Sequence, residues 1–118
     1  MKKICFIITL YLLSLSALCQ TKISIDSVAN HIGDRVTVCS KVYGTKLLDK
    51  SQTTFINLGA AYPNSPLTLV IFSKDRPNFK EAPEVMYANK TICVTRLVKE
   101  YKGKAEIIVT SPEEIKIQ

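Results

Sequence analysis

Two stretches of this chain alternate residue by residue: "RVTVCSKVYG" from Arg35 and "KTICVTRLV" from Lys90. A period of two matches the pleat of a β-strand, not the turn of a helix. In the first, Val36, Val38, Ser40 and Val42 share one side, and Thr37, Cys39 and Lys41 the other. The pattern recurs in "TTFINLGA" (53–60), "PLTLVIFS" (66–73) and "AEIIVTS" (105–111). Turn chemistry separates the segments: "TKLLDKSQ", "AYPNS" and "KEYKGK" are polar or contain Gly and Pro. The one stretch that breaks the pattern is "DRPNFKEAPEVMYANK", where "APEVMYA" suits a helical turn or two. The expected order is five strands with a helical insertion between the third and fourth. "SIDSVANHIGD" precedes them as a short helix, with Ile25, Val28, Ala29 and Ile32 on one face and Gly33 at its end.

The first nineteen residues stand apart. Met1-Lys2-Lys3 precedes a nearly unbroken apolar run, Ile4–Leu13, then the smaller, mixed residues "SLSALCQTK". This is the layout of a secretory signal peptide, and Ala17 and Cys19 set cleavage before Gln20. Ser14, Ser16 and Gln20 leave the run short and broken for a membrane span, so no anchor is expected after cleavage. Lipidation at Cys19 is the less favoured alternative, because Leu18 is bulky for a lipobox. The expected organisation is a signal peptide, 1–19, and one domain, 20–118, exported to the periplasm or beyond. Cleavage leaves 99 of the 118 residues, with fourteen basic side chains against ten acidic ones, a net charge of +4. Such a balance permits a polyanionic partner without requiring one. Cys39 and Cys93 survive processing, and an exported pair is more often bonded than metal-binding.

The strand order, with "GDRVTV", "FINLG" and "YKGKAEIIVTSPEEI", resembles the stand-alone secreted OB-fold domains of bacteria, which also occur beside secreted nucleases. The resemblance spans residues 24–115 and implies an all-β, five-stranded Greek-key barrel. Ser40 and Arg96 depart from it, standing where such domains usually carry a glycine that lets the strand coil. In an OB barrel the first and fourth strands are antiparallel neighbours, so the resemblance implies a Cys39–Cys93 bond. The flanking residues agree: both cysteines fall on the outer side of their strands. Two unpaired surface thiols are the alternative.

"FINLG" also resembles the "F-x-D-L-R-D" strand in the anticodon-binding OB domains of aminoacyl-tRNA synthetases. The likeness implies that Phe55 stacks on a base, with Asn57 in place of the aspartate and Gly59 in place of the arginine. Period-two geometry independently expects Thr53, Phe55 and Asn57 outside if Ile56 and Leu58 are inside. On the next strand Leu67, Leu69 and Ile71 are expected inside, leaving Thr68, Val70 and Phe72 outside. The flanking loops of an OB face would add Lys46, Lys50, Lys99, Tyr101, Lys102 and Lys104, with Tyr101 a second platform. The expected partner is single-stranded DNA or RNA, bound weakly and largely without sequence preference. The alternative is a module that binds an envelope protein or small ligand, in which residues 74–88 or the N-terminal helix cover Phe55. No cofactor, metal or catalytic role is expected. His31 is the lone histidine and reads as structural, and Asp75-Arg76 and Glu113-Glu114 read as solvated charge.

Overall fold

The computed structural model describes residues 21–118. The signal peptide and the lipidation alternative at Cys19 lie outside the described residues. Eight strands form one sheet system: β1 (Thr21–Ile23), β2 (Arg35–Leu48), β3 (Thr53–Leu58), β4 (Leu67–Ile71), β5 (Thr91–Leu97), β6 (Lys99–Tyr101), β7 (Lys104–Ile108) and β8 (Ile115–Ile117). One short helix, α1 (Pro83–Met86), lies in the insertion between β4 and β5. The hydrogen-bonded path runs β6-β7-β4-β3-β2-β5-β8, and β1 adds to β2 in parallel. The path does not close on itself as a ladder. Its β6 end and β5 are nevertheless consecutive in the chain, separated by Val98 alone.

β2 is longer than the alternating stretch suggests. Its first half pairs antiparallel with β5 and its second half with β3, and the register shifts between Val42 and Gly44. The segment expected as a polar connection therefore begins as strand, through Leu48. Before the bulge the alternation holds, with Val36, Val38 and Val42 buried. After it the phase changes, because a bulge places two residues opposite one. Ile56, Leu58, Leu67, Leu69, Ile71, Ile92, Val94 and Ile107 join Val36, Val38 and Val42 in the core, with Val28, Phe79, Tyr87, Val98, Ala105, Val109 and Ile115.

The N-terminal segment is a 3-10 helix, Ile25–His31, not an α-helix. At three residues per turn, Ile25, Val28 and His31 eclipse one another. Val28 is fully buried, while Ala29 and Ile32, which an α-helix would have turned inward, face solvent.

The insertion is held by charge. Arg76 donates from Nη2 to both carboxylate oxygens of Glu84, at 2.7 and 3.0 Å, and from Nε to Thr54 Oγ1, at 3.1 Å. Thr54 in turn donates to Glu84 Oε1, at 2.9 Å, and Thr45 to the Glu84 carbonyl, at 2.8 Å. Arg76 is thus not solvated charge. Glu114 is not either: it pairs with Arg96 and accepts the backbone N–H groups of Thr110 and Ser111. Both are half-buried, where an ion can remain only if paired.

Cys39 and Cys93 are bonded. They stand directly opposite in the β2–β5 ladder, next to the hydrogen-bonded hydroxyls of Thr37 and Thr95, with Cα atoms 4.0 Å apart. The bond closes a 54-residue separation, which in the chain-entropy account adds up to about 4 kcal/mol. A Cys39→Ser, Cys93→Ser double variant should lose a sizeable part of that in urea unfolding, and reduction of the parent protein should reproduce the loss. Glu84 gives a pH-dependent test. Burial, the largest influence on its carboxyl, opposes ionisation. Hydrogen bonds from its own backbone, Arg76 and Thr54 outweigh it and lower the pKa from 4.5. The stabilisation is therefore present above about pH 4.5 and is lost as pH falls through the folded value. Glu84→Gln should cost roughly 2 kcal/mol near pH 7, and the gap from the parent should shrink in acid.

Candidate nucleic-acid interface

The outward face of the β2–β3–β4–β7 region is built from cross-strand rows. Lys46 stands opposite Phe55, Phe55 opposite Val70, and Val70 beside Ile108. In the next row Gly44, Asn57, Thr68 and Glu106 follow one another, and Lys99 of β6 faces Glu106. Residues in register share a face. The row of Phe55 is thus aromatic and apolar with one cation at its end. The row of Asn57 is polar.

Two adjoining grooves of about 730 and 700 Å³ lie over these rows and meet at Phe55, Tyr101 and Glu106. Each falls in the size range of small-ligand clefts. The first is floored by Val70, Phe72 and Ile108, with Ile32 and Leu97 along its side. The second gathers Tyr43, Tyr62, Lys46, Lys102 and Lys104.

The expected site residues separate into groups. Phe55 is half-buried and reachable from both grooves, and Phe72 and Tyr101 are exposed. Lys46, Lys99, Lys102 and Lys104 line the grooves, but of the expected loop residues only Lys50 and Lys102 lie in turns; Lys46, Lys99, Tyr101 and Lys104 belong to strands. Lys50 lines neither groove: it sits in the turn between β2 and β3. Thr53 and Asn57 are on the expected face but are 7% exposed. Asn57 Oδ1 accepts hydrogen bonds from Ser65, 3.2 Å, and Thr68, 3.0 Å. That oxygen ties the 59–66 loop to the sheet, and among the described residues Nδ2 meets no acceptor. Val70, expected on the outside, lies on that face but is buried between Phe55 and Ile108.

The lysines also differ in freedom. Lys104 Nζ donates to the Pro63 carbonyl at 2.7 Å and braces the 59–66 loop, while Lys102 Nζ lies 5.4 Å from the centre of the Tyr101 ring. Lys102 and Gly103 have φ of 50° and 80° in the two-residue β6–β7 turn, the geometry of a tight hairpin. The turn thereby holds Tyr101 and Lys102 at the rim of the face.

Three residues were missed by sequence reasoning. Tyr43 and Tyr62 are exposed, Tyr62 at 79%, and both line the lysine-rich groove. Tyr62 lay in what reads only as a turn, and Tyr43 at the end of an alternating run. Glu106 lines both grooves, and burial, partly offset by the Lys99 charge, raises its pKa from 4.5. Its position was legible as an outward residue between Ala105 and Ile107, but nothing local marks it as part of a site.

Gly59 shapes the loop that carries Tyr62. Its φ is +86°, and a Cβ there would meet Pro66 Cγ at 2.4 Å and Ile25 Cγ1 at 2.8 Å. No helix among the described residues is long and apolar enough to cross a membrane.

No family model and no curated protein matches this chain. Solved structures do. A Leishmania major Friedlin protein assigned as an aspartyl-tRNA synthetase is similar at a TM-score of 0.54 and 14% identity, over 85% of this chain. This chain spans 21% of that protein. The OBody AM1L10, solved bound to hen egg-white lysozyme, is similar at a TM-score of 0.52 and 14% identity, over 84% of this chain and 92% of the OBody. At that identity the likeness is one of fold.

Two variants test this geometry. Gly59→Ala should destabilise the protein by roughly 1–3 kcal/mol in thermal unfolding, because it adds both a clash and a strained φ. Glu106→Gln should raise the melting temperature near pH 7. A raised carboxyl pKa makes the fold most stable with the proton on, and stability falls as pH rises through the folded value. The benefit of the amide should therefore disappear in acid.

Proposed function

We propose that this chain is an exported, single-domain OB-fold module that binds single-stranded nucleic acid weakly and largely without sequence preference. The fold reading is supported by the pairing. Counting β5 and β6 as one strand bent at Val98 leaves β2, β3, β4, β5–β6 and β7 as a five-stranded circuit. The helical insertion then falls between its third and fourth strands, and β1 and β8 are additions. Export is supported by the Cys39–Cys93 bond, which suits an oxidising compartment, and by the leader-like first nineteen residues.

One observation carries the binding reading. Phe55, Tyr43, Tyr62 and Tyr101 lie around a single groove with Lys46, Lys102 and Lys104. Aromatic faces stack on bases of any sequence, and lysines neutralise the phosphates between them. Binding here is non-catalytic and needs no cofactor.

A second reading, a module that binds an envelope protein or small ligand, is favoured by the apolar groove beside it. Exposed Ile32, Phe72, Leu97 and Tyr101 cluster there, as surfaces that meet proteins often do. The likeness to an OBody solved on lysozyme is consistent with it.

Fluorescence anisotropy with single-stranded DNA and RNA distinguishes the two. Affinity should fall steeply between about 50 and 200 mM salt, with a slope near 0.7 per phosphate contacted. Phe55→Ala should weaken binding by roughly 1–3 kcal/mol. Lys102→Ala should lower the salt slope with little change in base preference. No binding at low salt would rule out the nucleic-acid reading. A Phe55→Ala protein that melts much earlier yet binds normally when folded would assign the ring to the core.

A further inference from the structure

The two grooves form one trough whose charge is uneven. The lysine-rich half holds Lys46, Lys102 and Lys104. Past Phe55 the lining becomes Val70, Phe72 and Ile108, and its charged groups are Lys99, Glu100 and Glu106. Lys99 stands opposite Glu106 in the β6–β7 ladder, while Glu100, opposite Ala105, belongs to the other side of β6, so this half offers a phosphate no cation without a carboxylate facing it. The carboxylate of Glu106 sits at the junction, since it lines both halves.

A strand crossing the whole trough would have to carry phosphodiesters past Glu106, beyond the reach of the three lysines. Like charges in a partly desolvated groove repel more strongly than in bulk water. A nucleoside carrying no phosphate on its outer side escapes that repulsion. It also gains contact with exposed apolar side chains that are otherwise left to water.

Resting on the nucleic-acid reading above, we infer that the apolar half is an end pocket. It takes the terminal, unphosphorylated nucleoside of a single strand whose following phosphates lie among Lys46, Lys102 and Lys104. Phe55 stands at the step between the last nucleoside and the rest of the strand. The protein then recognises strand ends, the products of nucleic-acid cleavage that leaves a hydroxyl, in preference to uninterrupted strands.

The test is competition against an internally labelled linear oligonucleotide. The competitors are one sequence in four forms: linear with both ends hydroxyl, linear with a 5′-phosphate, linear with a 3′-phosphate, and a covalently closed circle. The hydroxyl-ended form should compete about tenfold better than the circle, the scale expected for one well-seated base. A phosphate on one of the two ends should weaken competition severalfold, and on the other end have little effect. Phe72→Ala removes a ring that is already partly in solvent, so the fold should persist while the advantage of linear over circular shrinks. Equal competition by the circle and the linear forms would overturn the end pocket and leave the nucleic-acid reading standing. No competition by any form, with no binding of the labelled strand, would remove both.

Discussion

Everything in this structure depends on β2 pairing with both β5 and β3. Its first seven residues, Arg35–Lys41, pair with β5, and the stretch from Val42 pairs with β3. A straight strand would hold its two partners in one flat sheet, so wrapping them around a core requires a bend. The register shift between Val42 and Gly44 supplies the bend, and the local twist of a bulge increases it. Gly44 has open space around its Cα, so it offers flexibility at the bend rather than relief from a clash. Ser40, just before the bulge, accepts the Gly59 N–H at 2.9 Å. A hydroxyl thereby links β2 to the end of β3 where a glycine could not. The disulfide then fixes the first half of β2 to β5, so that the bend is transmitted to the far side of the sheet.

The same bend shapes the candidate face. It brings the second half of β2, with Tyr43 and Lys46, over the β3–β4–β7 surface, and the β6–β7 hairpin approaches from the other side with Tyr101 and Lys102. Neither element could form the groove alone. The insertion takes no part in it: Arg76, Glu84 and Thr54 hold it on the opposite side of β3, since Thr54 and Phe55 are neighbours in a strand and point opposite ways. Residues 74–88 therefore lie on the side of β3 away from Phe55.

The electrostatics of the face are less uniform than its composition. A net excess of basic residues suggests an even attraction for anions, yet Glu106 lies where the two grooves meet, with Lys99 opposite it. Burial disfavours the charged form of Glu106, so its charge costs the fold some stability.

Much of this was determined by sequence alone, and the reason is period. Wherever a strand is straight, as at Val36 and Val38 or Ile56 and Leu58, alternation assigned each side chain to its side, and the phase of Cys39 and Cys93 placed both outside. Tertiary structure decided what alternation cannot encode. The bulge reset the phase of β2, so that Lys46 faces outward beside Phe55, while Tyr43 keeps the side it shares with Lys41. Close packing covered Val70, Thr53 and Asn57 although they face outward. Three-residue turns replaced α-helical spacing at Ile25–His31. Arg76, Arg96 and Glu114, solvated or unexplained along the chain, became paired because their partners lie 8 to 18 residues away. Local pattern reports which side of a strand a residue is on, but only the packed chain determines what lies on that side with it.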